Sequence, residues 1–129
     1  LPEQLPLQET NTRALGQAIE NVIRNTLRHT SEGKNIFITL SMSGPFCELI
    51  IKDNGPGVPE QHLTNIFKPF FRIEKSRNNE SNGFGLGLAL AKRQIEAVGG
   101  SIIAINHRKS SEQSDYELSG LSMNITLPI

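Results

Sequence analysis

The nine residues Asn21-Val22-Ile23-Arg24-Asn25-Thr26-Leu27-Arg28-His29 carry two patterns at once. Together with the residues before them, they place Leu15, Ala18, Ile19, Val22, Ile23 and Thr26 at helical spacing, which predicts a helix over about residues 12–30 with one face in a core. Asn11 or Thr12 can cap its start, and Gly33 follows its end. At about 100° per residue, Asn21, Asn25, Arg28 and His29 fall on a second stripe beside the apolar one. Taken alone, these polar residues read best as the wet side of an ordinary amphipathic helix. Their place at the border of the core admits a second reading. Two carboxamides one turn apart can offer oxygens to a hard cation such as Mg²⁺, and Arg28 can add positive charge for phosphate oxygens.

Working outward, residues 35–42 and 46–52 are rich in Ile, Leu and Phe and are separated by Ser43-Gly44-Pro45, so they predict an antiparallel hairpin. Asp53-Asn54-Gly55-Pro56-Gly57 breaks the second strand. Pro59 suits the first turn of a short helix reaching about Ile66. Phe67, Phe70 and Phe71 then cluster in Ile66-Phe67-Lys68-Pro69-Phe70-Phe71-Arg72, in a chain with six phenylalanines, and read as core anchors. Residues 74–84 are polar and aperiodic, as in a long mobile loop. A second helix is expected over about residues 86–98, with Leu88, Ala91, Ile95 and Val98 on one stripe and Gly99-Gly100 closing it. Strands over about residues 101–107 and 121–127 end the chain, joined by a polar connection from Arg108 to Ser119. Helices interleaved with hairpin-connected strands argue for an α+β fold: a two-layer α/β sandwich with a mixed sheet and helices on one face.

At 129 residues the chain suits a single domain. Thirteen basic and thirteen acidic residues cancel, so global charge points to neither nucleic acid nor an anionic membrane, and a polyanion has to be held locally. The one cysteine, Cys47, can form no disulfide within the chain and reads as a buried small hydrophobe. No apolar run approaches the roughly 18–20 residues that span a bilayer. The opening Leu1-Pro2-Glu3-Gln4-Leu5-Pro6 does not resemble a signal peptide, and the start without Met reads as a piece of something longer.

Two further motifs can carry chemistry. Asp53 at a strand end can accept a hydrogen bond from an exocyclic amine, and Gly55 and Gly57 let the backbone approach a flat base; a plain turn has the same composition. Gly83-Phe84-Gly85-Leu86-Gly87-Leu88 leads into a helix whose free N–H groups suit phosphates. Its G-x-G-x-G spacing after a polar loop is not the dinucleotide fingerprint, and a flexible linker would look similar. Arg72 heads the polar loop and can swing a guanidinium onto a phosphate.

In this order and spacing, the helix with Asn21 and Asn25, Asp53-x-Gly55-x-Gly57, the Phe cluster and Gly83-x-Gly85-x-Gly87 resemble the N, G1, F and G2 boxes of bacterial sensor histidine kinases, within the wider family of gyrase, Hsp90 and MutL. The resemblance covers nearly all of residues 12–128, including Gly99-Gly100-Ser101-Ile102 and Leu127-Pro128. It implies a Bergerat-type fold that binds ATP and Mg²⁺. By it, Asp53 recognises the adenine amino group beside Gly55 and Gly57, Asn25 ligates Mg²⁺, Arg28 contacts phosphate, and His29, at a position where relatives often carry tyrosine, lies against the nucleotide. Residues 73–84 form a lid. Gly83, Gly85, Leu86 and Gly87 line the phosphates, Arg72 and Arg77 reach for the γ-phosphate, and Asn21 and Arg72 serve the reaction.

In the ATPase branch, a glutamate one turn before the magnesium-binding asparagine activates water. Here Asn21 stands there and cannot act as a base, so the resemblance implies transfer to a protein side chain. Glu20 is about 100° around the helix, toward solvent. The acceptor histidine of such kinases lies in a His-Glu/Asp pair of a dimerisation domain, a context that His29, His62 and His107 all lack. The resemblance therefore implies a single catalytic domain over residues 1–129, without the dimerisation and phosphoacceptor domain. It would act on that domain and, through the full-length protein, on a response regulator. It implies a cytoplasmic location beneath an inner-membrane sensor, no direct membrane or nucleic-acid contact, and a monomeric fragment. Two other classes fit parts of the pattern: an ATP-hydrolysing conformational switch, and an interaction module that has lost its nucleotide.

Overall fold

A computed structural model of the chain describes residues 9–30, 34–72, 83–108 and 118–128. Helix α1 spans Glu9–His29. It starts a turn earlier than expected because nothing between Pro6 and Gly16 breaks a helix, so Asn11 and Thr12 lie inside it rather than at its cap. Ala18 and Val22 are fully buried, with Leu15, Ile19 and Ile23 packed around them, as the spacing predicts. Strands β1 (Ile36–Ser43) and β2 (Phe46–Asp53) form the expected hairpin. Gly44 turns it with φ +59, a conformation open to glycine at no steric cost.

The short helix expected after Pro59 is instead two 3₁₀ turns, Glu60–His62 and Asn65–Phe67. Each is held by two i→i+3 bonds: the His62 and Leu63 N–H groups donate to Pro59 and Glu60, and the Phe67 and Lys68 N–H groups to Thr64 and Asn65. The following Lys68-Pro69-Phe70-Phe71 is a tight turn closed by the Phe71 N–H on the Lys68 carbonyl. This turn puts Phe70 at φ 63 with 74% of its surface exposed, so only Phe67 and Phe71 of the cluster anchor to the core. Next come β3 (Phe71–Arg72), β4 (Gly83–Gly85), α2 (Gly87–Ala97), β5 (Ser101–Arg108) and β6 (Leu118–Pro128). Strand β4 pairs with β3, so the stretch expected as loop ends in a small two-stranded sheet; the rest of that expected loop, residues 73–82, lies outside the described residues.

The main sheet has the order β1-β2-β6-β5, with every described neighbour antiparallel. This corrects the expected mixed sheet. Strands β2 and β5 do run in the same direction on either side of α2, but β6 returns between them, so no parallel pair forms among the described strands. One face packs on the helices: Ile51, Met123, Ile125 and Ile102 from the sheet meet Ala18, Val22, Leu88 and Ile95 from α1 and α2. Burying a large aliphatic side chain of this kind contributes about 1.5–3 kcal/mol against its conformational entropy. The helices reach only part of that face. Leu40 lies opposite Leu49 in register, on the same face, yet is 68% exposed, as is Met42 at 66%. Across the sheet Phe37, Ile103 and Ile105 face outward. Cys47, expected to be buried, is half-buried at the sheet's rim.

Candidate functional site

Asp53 ends β2 on the helix-facing side and is 6% exposed. A carboxylate in that position has to be satisfied locally, because losing water costs several kcal/mol without new partners. The Gly55 N–H donates to Oδ1 at 2.8 Å, and the Leu121 N–H from neighbouring β6 donates to the same oxygen at a longer 3.4 Å. Among the described residues both donors go to Oδ1, which leaves Oδ2 as an acceptor for a ligand. Burial raises the Asp53 pKa above the usual carboxylate range, opposed by those two N–H groups and by the nearby His107 and His29. His107 is shifted down, chiefly by burial and also by Lys52, while Asp53 pulls it the other way.

The loop that follows is built to pass closely. A Cβ at Gly55 would stand 3.1 Å from Asp53 Oδ1 and 3.7 Å from the His29 carbonyl, which fixes the last turn of α1 against this loop. Gly57 adopts φ 74. One turn back from His29, Asn25 is 6% exposed on the inner side of α1, and Asn21 is half-buried a further turn away. Arg28 is exposed at the end of the helix. Glu20 points away and pairs with Arg24 at 2.6 Å on the solvent side, as its angle around the helix predicts.

The glycine-rich segment reaches the same end of the molecule by a different route. Gly100, after α2, sits against the Thr126 carbonyl, and Thr126 pairs with Glu48 in the half of β2 away from Asp53. Helix α2 therefore runs from the Asp53 end of the sheet toward the far end, and its amino terminus, with unpaired N–H groups, opens toward the site. Gly87 begins the helix with open space where a side chain would be, and Leu86 is exposed just before it. Gly83 and Gly85 lie in β4; Arg72 lies in β3, opposite Gly83. Arg77 is outside the described residues. The fold thus gathers Asn21, Asn25, His29, Asp53, Gly55 and Gly57 at one end of the sheet and directs the Gly87 helix terminus there.

Three further residues shape this site and were missed in the sequence. Leu121 supplies its main-chain N–H, a function any residue but proline could serve. Gly120 (φ +148) lies so close that a Cβ would come within 2.0 Å of the Asp53 carbonyl. Asn106 on β5 holds Val58 by both ends of its amide: the Val58 N–H donates to Oδ1 at 3.0 Å and Nδ2 donates to the Val58 carbonyl. Nothing in an alternating strand or a polar connection distinguishes Asn106 or Gly120 beforehand.

Residues 10–129 match the family described as histidine kinase-, DNA gyrase B-, and HSP90-like ATPase. The sensor protein PfeS of Pseudomonas aeruginosa is 38% identical over 93% of this chain and 24% of its own length. The sensor histidine kinase CpxA of Escherichia coli K12 is 34% identical over 92% of this chain and 24% of its own length. The chain thus spans about a quarter of these relatives. Among solved structures, a mycobacterial sensor histidine kinase, MprB, superposes with a TM-score of 0.71 at 31% identity, over 90% of this chain and 70% of that one. The catalytic domain of the histidine kinase ThkA gives 0.69 at 26% identity, over 90% and 67%.

Proposed function

We propose that this chain, which belongs to the histidine kinase-, DNA gyrase B-, and HSP90-like ATPase family, binds Mg–ATP as a protein-histidine kinase catalytic domain and presents the γ-phosphate to a histidine on a dimerisation domain. The observation that carries the reading is the buried Asp53, its Oδ1 taken by two main-chain donors and its Oδ2 left for the exocyclic amine of adenine. Gly55 and Gly57 leave room for the flat base, and His29 closes the other side from α1. Asn25 has the oxygen, the burial and the position to hold Mg²⁺, with Asn21 near it. That ion, when bound, neutralises phosphate charge and fixes phosphate geometry.

Arg28 and the α2 amino terminus with Gly83, Gly85, Leu86 and Gly87 would hold the phosphates. Arg72 and Arg77 are assigned to the γ-phosphate, and residues 73–84 to a lid. Catalysis of this kind is positioning and charge neutralisation. Asn21 cannot act as a base for water, and Glu20 is committed to Arg24 on the solvent side, so transfer is favoured over a hydrolytic switch. We assign the chain to two-component signalling, in the cytoplasmic part of a membrane sensor, acting through the full-length protein on a response regulator. No described helix is long and apolar enough to cross a membrane.

Calorimetry of the chain with ADP, ATP and GTP, with and without Mg²⁺, tests the site. Adenine nucleotides bind and GTP, which offers a carbonyl where adenine offers an amine, does not. Equal binding of GTP, or no heat with ATP and ADP at millimolar concentration, would overturn the assignment; the second result would revive an interaction module without nucleotide.

A further inference from the structure

Asn106 lies on β5, opposite Leu121 in register, and the Leu121 N–H donates to Asp53. It is the only described side chain that uses both a donor and an acceptor on one distant main-chain unit: Oδ1 takes the Val58 N–H and Nδ2 gives to the Val58 carbonyl, across 48 residues of sequence. The opposite end of the same loop is tied to the start of β1. There the Asn35 N–H donates to Asn54 Oδ1 at 2.8 Å, and the Asn54 N–H donates to the Asn35 carbonyl at 3.3 Å. Only Gly55-Pro56-Gly57 spans the gap between the two ties, and it contains both glycines of the base pocket. The Val58 side chain is itself buried, so the loop is pinned on three sides.

We infer that Asn106 is a positioning residue for nucleotide binding, acting through Val58 to hold the Gly55–Gly57 span at the height where Gly55 fixes the Asp53 carboxylate. The inference rests on the nucleotide reading above. The chemistry is demanding: a side chain has to accept from an N–H and donate to a carbonyl at the same time, in one plane, which the carboxamide does and a carboxylate does not. An aspartate at this position would set a negative oxygen against the Val58 carbonyl. Once protonated it regains an O–H donor beside a carbonyl acceptor, and so mimics the amide.

The test compares the 129-residue chain with Asn106→Ala and Asn106→Asp, by calorimetric titration with ADP from neutral to mildly acidic pH. Amide hydrogen exchange at Val58 without nucleotide is measured in parallel, and far-ultraviolet dichroism confirms that each variant is folded. Asn106→Ala is expected to bind ADP about tenfold more weakly, the size of one to two lost hydrogen bonds, and to exchange the Val58 amide faster. Asn106→Asp is equally weak at neutral pH, and its deficit relative to wild type at the same pH shrinks as the new carboxyl takes a proton. Unchanged ADP affinity in Asn106→Ala overturns the proposal. So does an Asn106→Asp deficit that is flat with pH, which would reduce the residue to space filling. If the wild-type chain takes no ADP, the nucleotide reading fails and the affinity claim falls with it. Val58 exchange then decides the clamp alone, and an unchanged rate in Asn106→Ala removes that too.

Discussion

Asp53 receives two main-chain N–H groups on one oxygen and is still held above the usual carboxylate pKa range by its burial. The site therefore carries a charge that the fold only partly supports, which suits the acceptor role proposed for Asp53. Because its folded pKa is raised, Asp53 contributes most to stability below its unfolded pKa, and that contribution is lost as pH rises through the higher folded pKa. Asp53→Asn keeps an oxygen for Gly55 and Leu121 while removing the charge, so it should modestly raise the melting temperature of the free chain near neutral pH. The difference should vanish in acid. The same substitution turns an amide N–H₂ toward the adenine amine and should weaken ADP binding roughly 10–100-fold, the worth of a hydrogen bond to a charged group. Wild-type ADP affinity, in turn, should fall on acidification, starting above the usual carboxylate range. Melts and calorimetric titrations across pH check all three. A variant that is both less stable at neutral pH and unimpaired in binding would show that Asp53 is a structural residue.

At the level of elements, glycines divide into those that the packing requires and those that it does not. A Cβ at Gly100 would meet the Thr126 carbonyl at 2.6 Å and Leu127 Cδ2 at 2.9 Å, so Gly100→Ala should push α2 off the sheet and cost about 1–3 kcal/mol. Gly16, inside α1 with open space around it, should do the opposite: Gly16→Ala should stabilise by about 0.5–1 kcal/mol through helix propensity alone. Urea denaturation of the two variants decides the contrast, and an equal effect would refute the packing argument. The same contrast explains what could be read beforehand. Periodicity shows α1, the β1–β2 hairpin and α2, because each follows from neighbours three, four or two residues apart. The place of β6 between β2 and β5 was not legible, since insertion is a property of the whole sheet. Nor was the exposure of Phe70, which depends on a turn that forces φ 63. Asn106 and Gly120 were hidden for the same reason: their partners, Val58 and Asp53, lie 48 residues or more away.

For the molecule as a whole, the proposed kinase reading turns on where a phosphoryl group would go. In-line transfer needs the attacking nitrogen held about 3–3.5 Å from its target in line with the leaving oxygen. The three histidines all lie within helical turns or strands of the fold. His29 ends α1 with its main-chain carbonyl facing the Gly55 loop, His62 packs its ring on Phe71 at 5.0 Å between centroids, and His107 is half-buried in β5 with its pKa lowered mainly by burial. None stands on an arm that could swing into line with a γ-phosphate, and Asn21 cannot act as a base for water there. The chain alone, incubated with γ-labelled ATP and Mg²⁺, should therefore neither label itself nor hydrolyse ATP rapidly. Adding a separately prepared dimerisation domain with its histidine should produce label on that domain, acid-labile and alkali-stable as expected of a phosphorus–nitrogen bond. Asp53→Asn in the added catalytic chain should weaken the label in step with its loss of nucleotide affinity, without unfolding the protein. Stable label on this chain itself would move the acceptor inside it. Fast hydrolysis lost in Glu20→Ala but not in Asn21→Ala would place the chain with the hydrolytic switches of its family, and it would mean that the Glu20–Arg24 pair breaks when nucleotide binds.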